Sequence, residues 1–128
     1  MSISHFDNHQ YFNIETFRKS GVGVRTPVWF VREGEALYVW TQANSGKAKR
    51  IRNNPRVRVA PCTASGELLG AWVEAHAEAD ASPEALQHVQ QLMTAKYGLA
   101  YRGFQVMGKL QRAQHTTLKI TFPDQHAN

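Results

Sequence analysis

Apolar and polar residues alternate over most of this chain with the two-residue period that is typical of β-strands. The clearest case is Arg56–Cys62, where Val57 and Val59 fall on one face and Arg56 and Arg58 on the other. Successive side chains of a strand point to opposite sides of the sheet, so this segment is predicted to have one buried and one polar face.

Seven strands are predicted from runs of this kind, and short turns such as Ser20–Gly23 and Glu33–Glu35 join most of them. The predicted strands are Tyr11–Arg18, Val24–Val31, Ala36–Thr41, Arg56–Cys62, Ala71–Asp80, roughly Phe104–Leu110, and Thr116–Phe122. Pro27 interrupts the second run. Because proline has no N–H to donate to a neighbouring strand, it marks an edge, a bulge or a place where a ligand replaces the neighbour.

Two segments break the β pattern and predict helices. A short helix over Gly46–Asn53 has Ser45 at its N-cap position and ends before Pro55. A longer helix begins with Ser82–Glu84, which supply a cap, a first-turn proline and an acidic residue, and it ends at Gly98. Many strands and few helices favour a mainly β fold, a mostly antiparallel barrel or sandwich with peripheral helices.

Length and composition indicate one ordinary globular domain over residues 1–128, with an ordered core over about 11–122. The chain has 128 residues, of which 42% are hydrophobic and 20% charged. Its single cysteine, Cys62, cannot form an internal disulfide, which predicts a reducing, cytoplasmic location. There is no basic start followed by an apolar run, and no apolar stretch near the roughly 20 residues that a membrane helix needs. Neither secretion nor a membrane partner is therefore expected.

Positive charge is concentrated in Gln42–Arg58, which holds six of the fifteen Lys and Arg residues of a chain with net charge +5. An excess of positive charge favours anionic partners. A turn that leads into a helix leaves backbone N–H groups unpaired, and the helix dipole adds partial positive charge there. A phosphate fits such a helix N-terminus. Lys47, Lys49 and Arg50 would add charge within one turn of it.

Two other interpretations of this basic segment stay open. It is compatible with an ordinary solvated helix face and a charged strand edge. A nucleic-acid surface is less favoured, because single-stranded nucleic acids stack their bases on aromatic side chains and Gln42–Arg58 contains none.

Several stretches together resemble the pyridoxamine 5'-phosphate oxidase-like superfamily of split β-barrels. They are RTPVWF (25–30), LYVWTQANSGKAKRIRNNPRVRVAPC (37–62) and WVEAHAEA (72–79), followed by a predicted helix that ends in KYG. Within this superfamily the chain most resembles the deazaflavin-dependent oxidoreductases that use coenzyme F-420. The similarity extends over Tyr11–Phe122. It implies a split β-barrel of the FMN-binding type, assembled as a homodimer with the cofactor in a groove between the subunits.

The resemblance also implies a set of cofactor-binding residues. The strand that would lie along the cofactor ring holds Arg25, Thr26, Pro27, Val28 and Trp29. The positions that would hold the phosphate are Thr41, Ser45, Gly46 and Lys47, and Lys49 and Arg50 would reach the phosphate or an acidic tail. The family thus places the phosphate where the helix N-terminus does. Near the end of the longer helix, Tyr97 and Tyr101 would approach the partner subunit's cofactor.

Differences from the vitamin-B6 oxidases narrow the expected activity. In those enzymes an Arg-Lys pair follows the serine, whereas Gly46-Lys47 follows it here, and a lysine stands where this chain has Phe30. Their C-terminal substrate-binding segment has no counterpart. We therefore expect hydride transfer between coenzyme F-420, or alternatively FMN, and an unidentified small substrate. No side chain is assigned as a catalytic acid or base.

Two further functions remain as alternatives. The first is a non-catalytic protein that carries, stores or senses FMN or haem, and the second is a basic nucleic-acid-binding barrel. No metal site is expected: His76 is flanked by Glu74 and Glu78 at strand spacing, but no second His or Cys accompanies it. For Cys62, which has no neighbouring base in the sequence, we expect an inert buried thiol.

Overall fold

A computed structural model describes residues 3–98 and 114–123 of the chain. The described residues begin with a 3₁₀ helix, Ile3–Phe6, and contain seven strands and two α-helices. In chain order these are β1 (Tyr11–Phe17), β2 (Gly23–Trp29), β3 (Val31–Glu33), β4 (Ala36–Gln42), α1 (Gly46–Asn53), β5 (Arg56–Cys62), β6 (Val73–Asp80), α2 (Pro83–Tyr97) and β7 (His115–Thr121). The predicted strand at Phe104–Leu110 lies outside the described residues.

The seven strands form one antiparallel sheet in the order β2-β1-β5-β6-β7-β4-β3. Strands β2 and β3 are the two ends of this sheet, yet only Phe30 separates them in the chain. A single residue cannot cross the width of a flat seven-stranded sheet, since it spans at most about 3.6 Å. The sheet therefore curls into a half-barrel that brings its two ends together. The prediction of a mainly β split barrel is confirmed.

The predicted strand Val24–Val31 is in fact two strands, and the break falls at Phe30 rather than at Pro27. Pro27 sits inside β2, opposite Asn13 of β1. Because β2 pairs only with β1 among the described strands, the missing N–H of Pro27 can face away from the sheet at no cost. The chain instead leaves β2 at Phe30, where it passes to the other end of the sheet.

The core of the half-barrel is made by the inward-facing residues of the strands. Alternation places Phe12 and Ile14 of β1 inside, together with Val57 and Val59 of β5, and all four are fully buried. At one end of the barrel the 3₁₀ helix inserts Phe6, which makes edge contacts with Phe12 and Phe30 and stacks on Phe122. Each fully buried side chain of this size contributes roughly 1.5–3 kcal/mol to folding.

Helix α1 lies at the opposite end of the barrel and begins and ends where the sequence predicts. Ser45 is its N-cap and accepts a hydrogen bond from the Ala48 N–H at 3.3 Å. The apolar side of the helix, Ala48 and Ile51, is buried. On the polar side, Arg52 donates to the Ala43 carbonyl, in the loop that joins β4 to the helix, at 2.6 Å.

Helix α2 covers part of the outer face of the sheet and creates a second, smaller core. Its buried residues Val89 and Met93 pack with Val31, and Trp29 and Trp40 lie against this cluster. The helix starts as predicted, with Ser82 capping the Ala85 N–H and Pro83 in the first turn. Among the described residues, neither helix has the length and apolar composition that a membrane span requires.

The last turn of α2 binds the backbone of Phe30, the link between the two ends of the sheet. The Tyr97 hydroxyl accepts a hydrogen bond from the Phe30 N–H at 3.0 Å, and it lies 2.6 Å from the Phe30 carbonyl and 2.7 Å from the Gln10 carbonyl. The Lys96 ammonium donates to the carbonyls of Phe30 and His9 at 2.8 Å and lies 3.8 Å above the Phe30 ring. Burial of the ammonium lowers the pKa of Lys96 to about 8.

We predict that Tyr97→Phe destabilises the fold by about 1–3 kcal/mol, because three backbone groups lose their shared hydroxyl partner. The measurement is equilibrium unfolding in urea. Tyr38→Phe is the matched control: its ring lies against the same second core, but its hydroxyl has no hydrogen bond among the described residues, so the change should stay within about 0.5 kcal/mol. Equal losses in the two variants would contradict a specific role for the Tyr97 hydroxyl.

Candidate functional site

The N-terminus of α1 has unpaired backbone donors. The Ser45 N–H bonds back to the Gln42 carbonyl at 3.1 Å, and the Ser45 carbonyl accepts from the Lys49 N–H. Among the hydrogen bonds of the described residues, none gives the Gly46 or Lys47 N–H an acceptor. Both groups lie at the positive end of the helix dipole, where an anion is bound most favourably.

Ser45 itself can add a donor to this end of the helix. Its hydroxyl oxygen is occupied as the cap of the Ala48 N–H. A hydroxyl can accept and donate at the same time, and the proton of Ser45 has no acceptor among the described residues. The cap and a contact to a bound anion are therefore compatible.

Lys47 is held beside the helix N-terminus by β4. Its ammonium donates to the Thr41 hydroxyl at 3.2 Å, and the residue is half-buried. Burial lowers the pKa of Lys47, and the neighbouring positive charge of Arg50 lowers it further. A bound anion would raise the pKa of Lys47 again, since it would place an opposite charge beside the ammonium.

Arg50 folds back over the start of the helix. Its Nε donates to the Thr16 hydroxyl of β1 at 2.6 Å. A Cβ on Gly46 would come within 2.8 Å of the Nη1 atom of Arg50, so glycine at this position lets the guanidinium lie against the backbone. Partial burial lowers the pKa of Arg50, and the charge of Arg18 lowers it further.

Within residues 3–98 and 114–123, no carboxylate neutralises these cations. The ion pairs among the described residues use Asp7, Glu15, Glu33 and Glu74, and none of them reaches α1. The site therefore combines two unpaired amides with two side-chain cations that have only hydroxyl partners. Such an arrangement is suited to a phosphate or another compact anion.

Lys49 differs from its two neighbours in position. It is exposed on α1, and it has no hydrogen bond or ion pair from its side chain among the described residues. The structure thus brings Thr41, Ser45, Gly46, Lys47 and Arg50 together and leaves Lys49 at the rim.

The predicted ring-binding segment is the edge strand β2, and its side chains divide between the two faces of the sheet. Thr26 and Val28 point inward, opposite Ile14 and Phe12 of β1, and Val28 packs on the core. Pro27 faces outward near Gly66, whose Cβ position would lie 3.9 Å from the proline ring. A ligand along this edge would therefore meet backbone groups of the whole segment but only alternate side chains.

Arg25 and Trp29 of the same strand are engaged within the chain. Arg25 donates to the Glu15 carboxylate at 3.1 Å and lies 4.8 Å above the Trp72 ring. Trp29 stacks on Tyr97 with ring centroids 4.7 Å apart. Tyr97 is thus held within its own chain through its ring and its hydroxyl, while Tyr101 lies outside the described residues.

Thr16 is a site residue that the sequence analysis did not identify. It is buried, and it holds Arg50 in place. The sequence does contain a sign of this role. Alternation after Phe12 and Ile14 predicts a third apolar residue facing inward, and the chain has a threonine there. Thr16 is the register partner of Val24, so the N-terminus of α1 lies near the start of β2.

The remaining chemical candidates are engaged elsewhere. Glu74 binds Arg56 through two hydrogen bonds of 3.1 and 2.9 Å on the exposed face of the sheet. Cys62 is buried, and burial raises the pKa of its thiol. Within residues 3–98 and 114–123, no three His, Cys, Asp or Glu side chains come together as metal ligands.

Solved structures with this fold come from several bacteria. Rv2991, a conserved hypothetical protein of Mycobacterium tuberculosis, is 19% identical with a TM-score of 0.70, over 96% of this chain and 81% of its own. HutZ, the heme storage protein of Vibrio cholerae, is 16% identical with a TM-score of 0.69, over 92% and 84%. An F-420 reductase is 15% identical with a TM-score of 0.60, over 94% and 91%. At these identities the likeness concerns the fold.

A search of curated proteins gave no match. The family model described as pyridoxamine 5'-phosphate oxidase, in contrast, matches residues 4–122 and so covers both the barrel and the helix N-terminus of α1. The chain therefore belongs to the pyridoxamine 5'-phosphate oxidase family.

Proposed function

We propose that this protein binds a phosphorylated flavin-type cofactor, with coenzyme F-420 favoured over FMN, and acts as an oxidoreductase on a small substrate. The observation that carries the proposal is the helix N-terminus of α1. There the N–H groups of Gly46 and Lys47 lie beside the ammonium of Lys47 and the guanidinium of Arg50. The described part of the chain offers no acceptor to these two N–H groups and no carboxylate to these two cations.

The residues of this site fit a phosphate in number and kind. A phosphate ester offers up to three acceptor oxygens and about one to two negative charges. The two amides and the Ser45 hydroxyl supply donors, and Lys47 and Arg50 supply charge. Thr41 and Thr16 hold these two cations in place through their hydroxyls. The absence of a side chain at Gly46 lets the Arg50 guanidinium lie against the backbone, beside the amides that would bind the phosphate.

The cofactor ring would lie along the outer edge of β2, over Arg25–Trp29. This edge has no neighbouring strand among the described residues, and Pro27 has no N–H to satisfy there. When bound, the cofactor supplies hydride transfer, and the chain contributes binding, orientation and exclusion of water. We further propose a homodimer in which the second subunit closes the groove over this edge. The reacting substrate would enter from the same side.

Two features favour an oxidoreductase that uses coenzyme F-420 over an enzyme that oxidises vitamin-B6 phosphates. The position at which those oxidases have a lysine is Phe30 here, which is buried and stacked on Phe12 with ring centroids 4.5 Å apart. A core side chain cannot serve a substrate phosphate. The net charge of +5 also suits a cofactor that has an acidic tail. The fold likeness to an F-420 reductase agrees with this choice.

A second function, non-catalytic binding of FMN or haem, is favoured by the fold likeness to the heme storage protein HutZ. A protein of this kind would use the same barrel as the proposed oxidoreductase, but it would not convert a substrate. Absorption spectra of the purified protein with each candidate cofactor separate haem from flavin. Reoxidation of the reduced protein-bound cofactor by a panel of unsaturated acceptors, at a rate above that of the free cofactor, is expected of the enzyme. A carrier would show no such acceleration.

We predict that Lys47→Ala weakens binding of FMN and coenzyme F-420 by roughly ten- to one-hundredfold, because a charge-assisted hydrogen bond to phosphate is worth about 1.5–3 kcal/mol. Fluorescence titration of the purified variant measures this. Lys119→Ala is the control, since it removes the same charge from an exposed position on the outer face of β7. Unchanged affinity in Lys47→Ala would exclude the proposed phosphate site.

The same site predicts a pH dependence of binding. The phosphate monoester of FMN gains a proton below about pH 6, so the affinity for FMN should fall on the acid side. On the alkaline side affinity should fall as Lys47 loses its proton, and this should begin below the normal lysine range because the pKa of Lys47 is lowered by burial and Arg50. Lys47→Arg should remove the alkaline fall, since an arginine does not deprotonate there. Profiles of variant and wild type are compared with the same cofactor, so that the cofactor's own titrations cancel. An alkaline fall that persists in Lys47→Arg would contradict the assignment.

A further inference from the structure

Glu15 is a buried carboxylate on the outer face of the sheet, with only 5% of its surface exposed. Its cross-strand neighbours are Arg25 on β2 and Arg58 on β5. The Oε2 atom accepts a hydrogen bond from the Arg25 Nε at 3.1 Å, and Oε1 accepts one from the Arg58 Nε at 2.6 Å. Gly23 leaves room for this carboxylate, since a Cβ there would clash with Oε2. One buried side chain thus holds an arginine on each of its two neighbouring strands.

Trp72, immediately before β6, contacts the same two arginines. The guanidinium carbon of Arg25 lies 4.8 Å from the centroid of the indole ring, and that of Arg58 lies 5.1 Å from it. A planar guanidinium packs favourably on an aromatic face. Each guanidinium is therefore held by both a carboxylate and an aromatic ring, which restricts its rotamers.

Arg25 keeps a hydrogen-bonding edge open to solvent. It contacts Glu15 through Nε, and its two terminal nitrogens, Nη1 and Nη2, have no acceptor within residues 3–98 and 114–123. Its side chain is 55% exposed. Arg58, in contrast, uses both Nε and Nη2 on Glu15, and its side chain is 31% exposed. Arg25 therefore presents two parallel N–H donors, an arrangement that binds a carboxylate through two hydrogen bonds.

This cluster carries one positive charge in excess. Arg25 and Arg58 supply two positive charges and Glu15 supplies one negative charge. In the described part of the chain, no second carboxylate forms an ion pair with either arginine. A carboxylate ligand brings one negative charge and would neutralise the cluster, whereas a phosphate monoester brings about 1.5–2. The charge balance favours a carboxylate.

A buried carboxylate is not required to join these strands. Apolar residues could join them without the desolvation of a charge, and such replacements are often neutral or favourable for stability. What Glu15 adds is a fixed direction for Arg25, with Nη1 and Nη2 on the outer side of β2. Side chains that bind a ligand need support of this kind from the residues behind them.

We propose that Arg25 binds the carboxylate of the substrate, and that Glu15 and Trp72 are its positioning residues. This inference rests on the proposed function, in which the cofactor ring lies along the edge of β2 and the substrate enters from the same side. Arg25 belongs to that strand, so a substrate held by its carboxylate would lie beside the ring. The substrate class is thereby narrowed to small conjugated carboxylic acids.

The competing explanation is that the cluster only links three strands, and that Arg25 attracts anions through its charge alone. The two explanations make opposite predictions for Glu15→Gln. This change removes a negative charge, so an effect of charge alone would strengthen the binding of a carboxylate. If Glu15 positions Arg25, the same change weakens that binding.

The test uses the ¹⁵N-labelled full chain without cofactor, with cinnamate as the acidic probe and cinnamamide as its neutral counterpart. Binding is followed by NMR through the Nε–H signals of the arginines and the indole N–H signal of Trp72. Wild type is expected to bind cinnamate with a Kd of about 1 mM, the range of a ligand held by few contacts. The signals of Arg25 and Trp72 should shift together, and cinnamamide should bind about tenfold more weakly.

Three variants complete the series. Arg25→Lys keeps the charge but loses the planar fork, so it should lower the affinity for cinnamate about tenfold, and Glu15→Gln should lower it by a similar factor. Arg56→Lys is the matched control, with an expected change below about twofold. Arg56 also lies on the outer face, binds a carboxylate and lies 4.6 Å over the Phe17 ring, but its Nε and Nη2 are both used on Glu74.

Three results would overturn the proposal: no shift of the Arg25 signal up to about 20 mM cinnamate, tighter binding of cinnamate in Glu15→Gln, or equal losses in Arg25→Lys and Arg56→Lys. Arg25→Lys retains a positive charge beside Glu15, so it decides the question even if Glu15→Gln does not fold. Thermal unfolding of each variant confirms that folded proteins are compared.

The cofactor titrations separate this failure from that of the proposed function. Lys47→Ala should lower the affinity for FMN and leave the affinity for cinnamate unchanged. If Lys47→Ala behaves in this way and Arg25→Lys has no effect on cinnamate, the cofactor site stands and the substrate anchor does not. If wild type binds neither FMN nor coenzyme F-420 while cinnamate follows the expected pattern, the proposed function fails and the carboxylate site at Arg25 stands.

Discussion

The architecture depends on one covalent constraint: the two ends of a seven-stranded sheet are joined through Phe30 alone. The sheet must curl until β2 and β3 meet, and the backbone of the joining residue can belong to neither strand ladder. Side chains of helix α2 form the hydrogen bonds to this backbone that a neighbouring strand would otherwise form. Tyr97 and Lys96 satisfy the N–H and the carbonyl of Phe30, while its ring fills the core. A buried backbone group without such partners would be costly, so closure of the barrel and docking of α2 are coupled.

Curling of the sheet also creates the site. It brings the last residues of β1 and β4 to the same end of the barrel, where Thr16 and Thr41 face inward below α1. In a flat sheet these strands would be separated by β5, β6 and β7. The short helix fits this end because Ala48 and Ile51 enter the core while Lys47 and Arg50 reach the two threonines. Fold and site thus use opposite faces of the same eight residues.

The arrangement of charged and polar groups at this end of the barrel is unfavourable for the stability of the fold. Among the residues that the structure describes, the cations here have no carboxylate partner and two amides have no acceptor. Polar residues also replace apolar ones at the inner ends of two strands. The buried Glu15 on the outer face shows the opposite arrangement. Burial opposes ionisation of its carboxyl, but the hydrogen bonds and positive charges of Arg58 and Arg25 lower its pKa. Groups that are unfavourable for folding in this way are expected where a protein binds a ligand. The contrast between the paired outer face and the unpaired helix N-terminus is the physical basis of the functional assignment.

The sequence by itself determined the local elements, because their causes are local. The strand Arg56–Cys62, the cap at Ser45 and the end of α1 before Pro55 depend on neighbours within a few residues, and the structure agrees with these three bounds. Burial alternates over Arg56–Val59 only, since Ala60, Pro61 and Cys62 are all buried. The grouping of Ser45, Gly46 and Lys47 could be predicted for the same reason. Only the tertiary structure decided that Val24–Val31 divides at Phe30, that Thr16 holds Arg50, and that Arg25 is bound by Glu15 and Trp72. Those contacts join residues 10 to 47 positions apart, and they exist because the sheet closes on itself, which no local pattern specifies.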